Sequence, residues 1–489
     1  MKEYTCDVAV VGSGGTGMVA AGHAADAGAH VIVLEKNKTL GGNTWFAVGT
    51  RYINSKRGRD AGMGDYRDAM FREAMAKTNW RKDPKTLHRF LDSYEEAYNW
   101  FDSLGFAELT QFKKLGNGMA VFEMYERKAP HKGNEPSRGP GFVGSTIVEM
   151  MQEVCAKNNA EILSGHRATH LLMDDAGAIC GVEARAGSET VIVHAKACII
   201  ATGCFSANKE LVKRAFPEHF AKPGYYACIG LNTETGDGIT MCEEIGAKVL
   251  DFVELGMPGL GHHPWDWNIH ATCGRARTMW INKKGLRIAD ESNVSMDAGK
   301  ALAARQPEAL IYSIVDQNIL EKLQVELEET AMGNERQYIG NLKEKYAAEA
   351  KAGKVQCLRG ETLEELAQKM HDVAGVDGDA FLQTVAEYNE ACKNGHDPLM
   401  LKDPAQLTAI EQGPFYAALL QRFYEITQGG IEVNHNMEVI RPDDSVIPGL
   451  YAGGDTSSAS GNQLNGTGLA LAFVSGYVAA TEALKYIGQ

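Results

Sequence analysis

The stretch Val8 to Gly17, VAVVGSGGTG, decides the fold. Val8, Ala9, Val10 and Val11 are a short apolar run that reads as a buried β-strand. Gly12, Gly14 and Gly17 then give the spacing G-x-G-x-x-G, and the Ala-rich run Met18 to Ala29 reads as a helix. Each glycine has its own task. The first permits the tight turn, the second lets backbone approach a pyrophosphate, and the third lets helix pack on strand. The helix N-terminus offers free N–H groups and a positive dipole end to phosphate. A second strand, His30 to Leu34, ends at Glu35, 18 residues past Gly17, where an acceptor for ribose hydroxyls belongs. Strand, glycines, helix, strand and acid in this order predict a Rossmann-like dinucleotide-binding unit.

The chain of 489 residues is too long for one ordinary core, so two or three lobes are expected. A net charge of −14 argues against nucleic acid, which needs a basic face. The ten cysteines include no C-x-x-C pair, so the sequence supports no metal centre, cluster or haem attachment. Cys6 and Cys198 fall in apolar strands, as reduced thiols in a reducing compartment do. No apolar stretch reaches the roughly 18–20 residues of a membrane span. The first strand begins at about Cys6, which leaves no room for a signal peptide. The expectation is a soluble, cytoplasmic protein with no membrane partner.

Further along, Leu40 to Thr44 (LGGNT) suits a loop passing close to a flat ligand, or an ordinary loop. Tyr66 to Leu104 has one continuous helical periodicity. Ser145 to Asn158 is another helix. Ala160–Leu163, Ala168–Met173, Ile179–Ala184 and Glu189–Val193 read as a β-rich insertion, followed by a separate strand Ala197–Ala201 that ends at Thr202-Gly203. Asp237, in TGDGI, has the position of a helix N-cap. Trp280 to Asp290 reads as a hairpin, Asn318 to Met370 as a charged helical region, and Asp379 to Lys393 as a helix. Ile431–Val433 and Ile447–Ala452 read as strands, and Leu469–Lys485 as a final Ala-rich helix. The expected class is α/β: a Rossmann-like domain, parallel sheet plus β-rich insertion, with an inserted α+β cap domain. The division runs 1–256, 257–412 and 413–489.

Taken together, GSGGTG with Glu35, LGGNT at 40–44, IIATGCF at 199–205, TGDGI at 235–239, INKKGLRIADE at 281–291, TQGGI at 427–431 and IPGLYAGGD at 447–455 resemble the flavoprotein family of fumarate reductase and succinate dehydrogenase. The family also holds ketosteroid dehydrogenases and enone reductases. The resemblance spans nearly the whole chain. It implies FAD as cofactor, with Gly12, Gly14 and Gly17 at the pyrophosphate and Glu35 on the adenosine ribose. It puts Gly41, Gly42, Asn43 and Thr44 beside the isoalloxazine, Asp455 on the ribityl chain, and the start of the last helix at Gly468 under the flavin carbonyl. Gly15, Thr16, Lys36, Ala201, Thr202, Gly203, Asp237, Gly454 and Leu469 complete the candidate cofactor contacts. No histidine follows Gly42, where covalent members attach the flavin, so FAD is expected to be non-covalent.

The departures bear on substrate. Dicarboxylate reducers clamp two carboxylates with cations and use an arginine as proton donor. Here Ser292 to Asp297 contains no arginine, and the clamp arginine of G-x-N-R-L-G-G aligns with Gln463 in GNQLNGTG. The tyrosine that ketosteroid dehydrogenases carry in that loop aligns with Leu464. What remains is a neutral pocket suited to an uncharged, phenolic ring compound. An isoflavonoid is one such substrate, as in reductive loss of a benzylic hydroxyl from tetrahydrodaidzein to equol through a quinone methide. The alternatives are a ketosteroid-type or cyclic-ketone dehydrogenase, a fumarate-type reductase, or an electron-transfer flavoprotein subunit. His262 and His263, in Gly-His-His-Pro, are the first acid–base candidates, set against ordinary exposed or core histidines. Arg275 is a second proton donor, set against a surface ion pair. Trp265 and Trp267 are candidates for a ring-stacking wall or for core packing, and Gln463 for contact with substrate. Only one dinucleotide fold is read, so a dedicated NAD(P)H site is not evident, and a separate reductase and NAD(P)H both stand as candidate electron donors.

Overall fold

The structure, a computed structural model, describes residues 1–47, 49–109, 122–124, 143–217, 226–228, 231–256, 259–261, 266–293, 302, 305–330, 339–351, 355–461 and 467–488. Met1–Ala215, Gly230–Gly256 and Ile426–Gln489 form one compact unit; Phe216–Ile229 and Met257–Glu425 form the second. The expected division at 256 and 412 is corrected at two places. Residues 216–229 join the second unit because the strand Tyr226–Cys228 pairs with Gln421–Tyr424. Residues 413–425 join it because Phe415–Leu419 is a central strand of that unit's sheet.

The first unit is built on an eight-stranded sheet. Strand β1 (Lys2–Val11) lies at its centre, parallel to β2 (Val31–Glu35) on one side and to Glu189–Ile200 on the other. Val446–Ala452 continues the parallel set beyond Glu189–Ile200, and Ala160–Ser164 continues it beyond β2. Strands buried on both faces read as unbroken apolar runs, and Val8, Ala9, Val10, Ile199 and Ile200 are all buried. Helix α1 (Gly15–Asp26) crosses between β1 and β2. Its Ala- and Gly-rich sequence lets it bury almost every residue from Gly15 to Ala25, and the last helix, Gly468–Ile487, packs against it. Five parallel strands therefore deliver their carboxyl ends, at Val11, Glu35, Ser164, Ile200 and Ala452, to one edge, the position at which such sheets bind ligands.

Several elements differ from expectation. Strand β1 begins at Lys2, because its first half pairs with Val191–Ala195. For the same reason the two expected strands at 189–193 and 197–201 are one strand, Glu189–Ile200. Ala160–Ser164 belongs to the parallel sheet; only Arg167–Met173 and Ile179–Ala186 form the antiparallel extension. The periodic run from Tyr66 breaks into helices Arg67–Lys77 and Pro84–Ser103. The expected hairpin at 280–290 has one bridge, Ile281 to Arg287; strand Met279–Asn282 pairs instead with Ile311–Val315. The strand expected at 431–433 is Ile426–Ile431.

The second unit centres on an antiparallel sheet in the order Met279–Asn282, Ile311–Val315, Phe415–Leu419, Cys357–Gly360. Its core includes Trp280, Tyr312, Ile314, Leu323, Tyr346, Phe381 and Tyr416. Among the described residues, no helix is long and apolar enough to cross a membrane.

Candidate cofactor site

The loops leaving the parallel strands line one cavity, which includes residues 11–16, 34–37, 42–44, 201–204, Asp237, Gly453 and Asp455. The local reasons are visible glycine by glycine. Gly12 has φ +103°, and a Cβ there would lie 2.3 Å from the Ala201 carbonyl oxygen. A Cβ on Gly17 would lie 1.9 Å from the Gly12 oxygen, so helix and strand touch through that position. Gly14 is different: its nearest neighbour would be the Gly41 oxygen, at 3.9 Å. Packing of the protein does not require a glycine at Gly14, whereas close approach of a pyrophosphate does. Gly14 is also the N-cap of α1 and has no side chain of its own to cap the helix.

Glu35 is buried at the end of β2. One carboxylate oxygen accepts the Ser13 amide at 3.0 Å and the Ser13 hydroxyl at 2.6 Å; the other accepts the Asn37 amide at 2.8 Å. These three bonds fix the carboxylate and leave acceptor capacity for a diol. Gly41 (φ +106°) and Gly42 (φ +49°) start the short 3₁₀ turn Gly42–Phe46, and Thr44 Oγ1 accepts the Gly15 amide at 2.9 Å. The 40–44 loop is thus tied to the first turn of α1.

At the next strand end, Thr202 Oγ1 lies 3.2 Å from Thr456 Oγ1. Gly203 takes φ +72° beside open space. Asp237 is not the N-cap of its helix; Gly236 is, and Asp237 follows it. Its carboxylate instead accepts from Lys36 Nζ at 3.2 Å and from Arg167 at 3.0 and 2.7 Å. Burial alone would raise the Asp237 carboxyl, but the Arg167 hydrogen bond, the Lys36 charge and the Thr235 hydroxyl hold it below the usual carboxylate range.

From the C-terminal part come Gly453, Gly454 and Asp455. Gly454 donates its amide to Ser475 Oγ at 2.9 Å. A Cβ on Gly454 would lie 2.3 Å from Thr16 Oγ1, so this turn packs directly on α1. Asp455 accepts from Ser460 Oγ at 2.8 Å and Gln428 Nε2 at 3.4 Å; its carboxyl is pushed up by burial, with those two bonds opposing. Gly468 opens the last helix, where a Cβ would meet nothing within 4 Å, and Leu469 behind it is buried.

Sequence reasoning missed Ser13, Cys204, Glu234, His166 and Arg167 in the cavity wall. Cys204 Sγ donates to Glu234 Oε2 at 2.6 Å, and Ser206 Oγ donates to the same oxygen. Burial and the Glu234 charge push the Cys204 thiol up. Ser13 and Cys204 sit inside the motifs GSGGTG and IIATGCF at variable positions, whereas Glu234, His166 and Arg167 lie in no motif and are brought in from distant parts of the chain.

His262, His263, Trp265 and Gln463 lie outside the described residues. Trp267 opens the helix Trp267–Cys273 in the second unit. Arg275 follows that helix and donates Nε–H to the Ala271 carbonyl at 2.9 Å. Tyr451 is a core residue whose hydroxyl donates to the Glu482 carbonyl at 3.3 Å.

A glycine cradle, a helix N-terminus opening on a glycine, a fixed ribose-side acid and a buried second acid fit FAD. Residues 7–469 match the FAD binding domain family, and the chain belongs to it. It is an FAD-dependent oxidoreductase of the fumarate reductase type. The chain is 26% identical to a vinyl phenol reductase of Lactiplantibacillus plantarum, over all of this chain and 98% of that protein. It is 27% identical to the fumarate reductase (cytochrome) of Shewanella frigidimarina, over 99% of this chain and 77% of that one. The fold is shared with the 3-ketosteroid Δ1-dehydrogenase of Sterolibacterium denitrificans, at a TM-score of 0.76 and 19% identity, over 98% of this chain and 99% of that one.

Proposed function

We propose that this protein is an FAD-dependent reductase of a neutral, phenolic ring substrate. The observation that carries the proposal is Gln463, an uncharged amide at the position where the resembling dicarboxylate reducers hold an arginine. An amide donates hydrogen bonds but cannot pair bidentately with a carboxylate. Ser292 to Asp297 likewise supplies no cation. Similarity to a vinyl phenol reductase over nearly the full length of both chains supports a phenolic substrate.

Bound FAD, once reduced, supplies the hydride. The residues of this chain bind, orient and move protons. Gly12, Gly14 and the N-terminus of α1 receive the pyrophosphate, and Glu35 holds the ribose. Asp455 orients the ribityl chain. The N-terminal dipole of Gly468–Ile487 favours negative charge set against it. The loop after Gly42 has no histidine, so FAD is held without a covalent bond. In the second unit, His262, His263 and Arg275 are the proton donors and acceptors, and Trp265 and Trp267 hold the ring. With a benzylic hydroxyl para to a phenol, as in tetrahydrodaidzein, the acid protonates the departing hydroxyl, which leaves as water. A base takes the phenol proton. The resulting quinone methide would be the hydride acceptor at its benzylic carbon, and the base would return its proton to the phenol oxygen of the equol-type product.

The test is anaerobic re-oxidation of photoreduced enzyme by a panel of vinylphenols, isoflavonoids, enones, steroids and fumarate. Rapid re-oxidation by a phenolic compound, with fumarate inert, is the expected result. Re-oxidation by fumarate alone overturns the proposal, and bleaching of the oxidised flavin by a saturated ketosteroid assigns the dehydrogenase reading instead.

A further inference from the structure

Between helices Arg67–Lys77 and Pro84–Ser103 the chain makes a costly turn. Asn79 and Trp80 are both left-handed, at φ +51° and +57°. Asn after a helix end is ordinary there, but a bulky residue is an outlier, at a cost of about 1–3 kcal/mol. Trp80 gains no burial from it, being 69% exposed. What the turn delivers is Lys82, which is 2% exposed.

The Lys82 ammonium donates to two consecutive carbonyls, Ala459 at 2.6 Å and Ser460 at 2.8 Å. The Phe252 ring lies 5.9 Å from it. The next residue, Gly461, has φ +76°, and a Cβ there would lie 2.7 Å from that same ring, so the segment is pressed against strand Val249–Gly256. Ser460, held by its carbonyl, turns its hydroxyl onto Asp455 at 2.8 Å, and Asp455 lines the cofactor cavity.

We propose that Lys82 is a positioning residue for FAD binding: its ammonium fixes the Ala459 and Ser460 carbonyls, and through the Ser460 hydroxyl it aims Asp455 into the cavity. This rests on the reading of Asp455 as a cofactor-side acid. Lys82 does not itself line the cofactor cavity.

The charged groups around Lys82 are Arg81 and Asp83 on its own turn, Glu254 on Val249–Gly256, and Glu432 after Ile426–Ile431. Burial pulls the Lys82 ammonium down to about 8, with Glu254, Asp83 and Glu432 only partly opposing. Above that pH the clamp loses its charge, and charge-assisted bonds are about twice as strong as neutral ones. FAD should therefore be held less tightly above pH 8, by roughly fivefold.

The experiment follows FAD affinity of the full-length protein by flavin fluorescence from pH 6.5 to 9.5, for wild type, Lys82→Met, Ser460→Ala and Asp455→Asn. Weakening above pH 8 is expected in wild type. Ser460→Ala should already bind weakly at pH 7 and show no further loss at high pH, because the path from Lys82 to Asp455 is cut. Lys82→Met should behave alike; if it does not fold, the Ser460→Ala profile decides alone. A Ser460→Ala profile identical to wild type, with Asp455→Asn weakened, overturns the role of Lys82 and leaves Asp455 standing. An Asp455→Asn protein that binds FAD like wild type overturns both.

Discussion

Ser13 gives both its amide and its hydroxyl hydrogen to one oxygen of Glu35, at 3.0 and 2.6 Å, and both residues are buried. The variable residue of the first G-x-G is thereby tied to the acid at the end of β2. Hydrogen bonds to a charged group contribute about 1.5–3 kcal/mol. Ser13→Ala keeps the amide bond and loses the hydroxyl bond. It should lower thermal stability by an amount in that range and weaken FAD binding, read by thermal unfolding with and without excess FAD. Unfolding and FAD affinity equal to wild type would show that Ser13 does not hold Glu35.

Asp237 joins Lys36 and Arg167 at the rim of the same cavity. Its carboxyl is held below the usual range in the folded protein, against the opposing effect of burial. The stabilisation it brings is therefore complete above about pH 4, where an unfolded aspartate is ionised, and is lost as pH falls through the depressed folded value. Asp237→Asn should lower stability at neutral pH and flatten the acid limb of a plot of melting temperature against pH. A variant with the acid limb of wild type would contradict this.

The second unit holds a cluster of buried charged side chains. Arg287 pairs with Asp397 at 2.7 Å and with Glu291 at 3.1 Å, and Lys402 lies 3.2 Å from Glu291. The two cations and two anions balance, and Lys402 also donates to the Thr278 carbonyl at 2.8 Å. Lys402→Met leaves a net buried negative charge, at a cost of about 3–5 kcal/mol. Lys402→Met with Glu291→Gln removes a neutral pair and should regain part of that loss in denaturant unfolding. A double variant as unstable as the sum of the singles would mean that the two charges are not coupled.

The glycine cradle is legible in the sequence because strand, G-x-G-x-x-G and helix follow one another as a local pattern, even though Gly12 and Gly454 meet Ala201 and Thr16 from distant parts of the chain. Lys82 is not legible, because its carbonyl partners lie 377 and 378 residues further on. Lys82 falls inside the run Tyr66 to Leu104, read as one helical periodicity, and only tertiary packing buries it. The start of strand β1 is hidden for a related reason. Lys2, Glu3 and Tyr4 look like a polar lead-in, yet they pair with Val191–Val193. Arg167 carries no signal at all, since its partner Asp237 lies 70 residues away and on another element.

The glycines of the opening loop separate folding from binding. Gly14 sits at φ −66° and ψ −179°, a conformation that alanine adopts freely, and no protein atom lies within 3.9 Å of an added Cβ. Gly14→Ala should therefore fold as well as wild type, or better by about 0.4–1 kcal/mol because the unfolded chain loses freedom. The added methyl nonetheless occupies the face that a pyrophosphate must approach, so the purified protein should come out nearly free of flavin. Gly17→Ala puts its methyl 1.9 Å from the Gly12 oxygen, which is backbone and cannot swing away. That variant should lose stability severely even before cofactor is considered. Circular dichroism melts and the ratio of flavin to protein absorbance distinguish the two. If Gly14→Ala retains a full complement of FAD, the second glycine is not where the pyrophosphate passes. If Gly17→Ala melts with wild type, then α1 does not pack on β1 as closely as the Gly12–Gly17 contact requires.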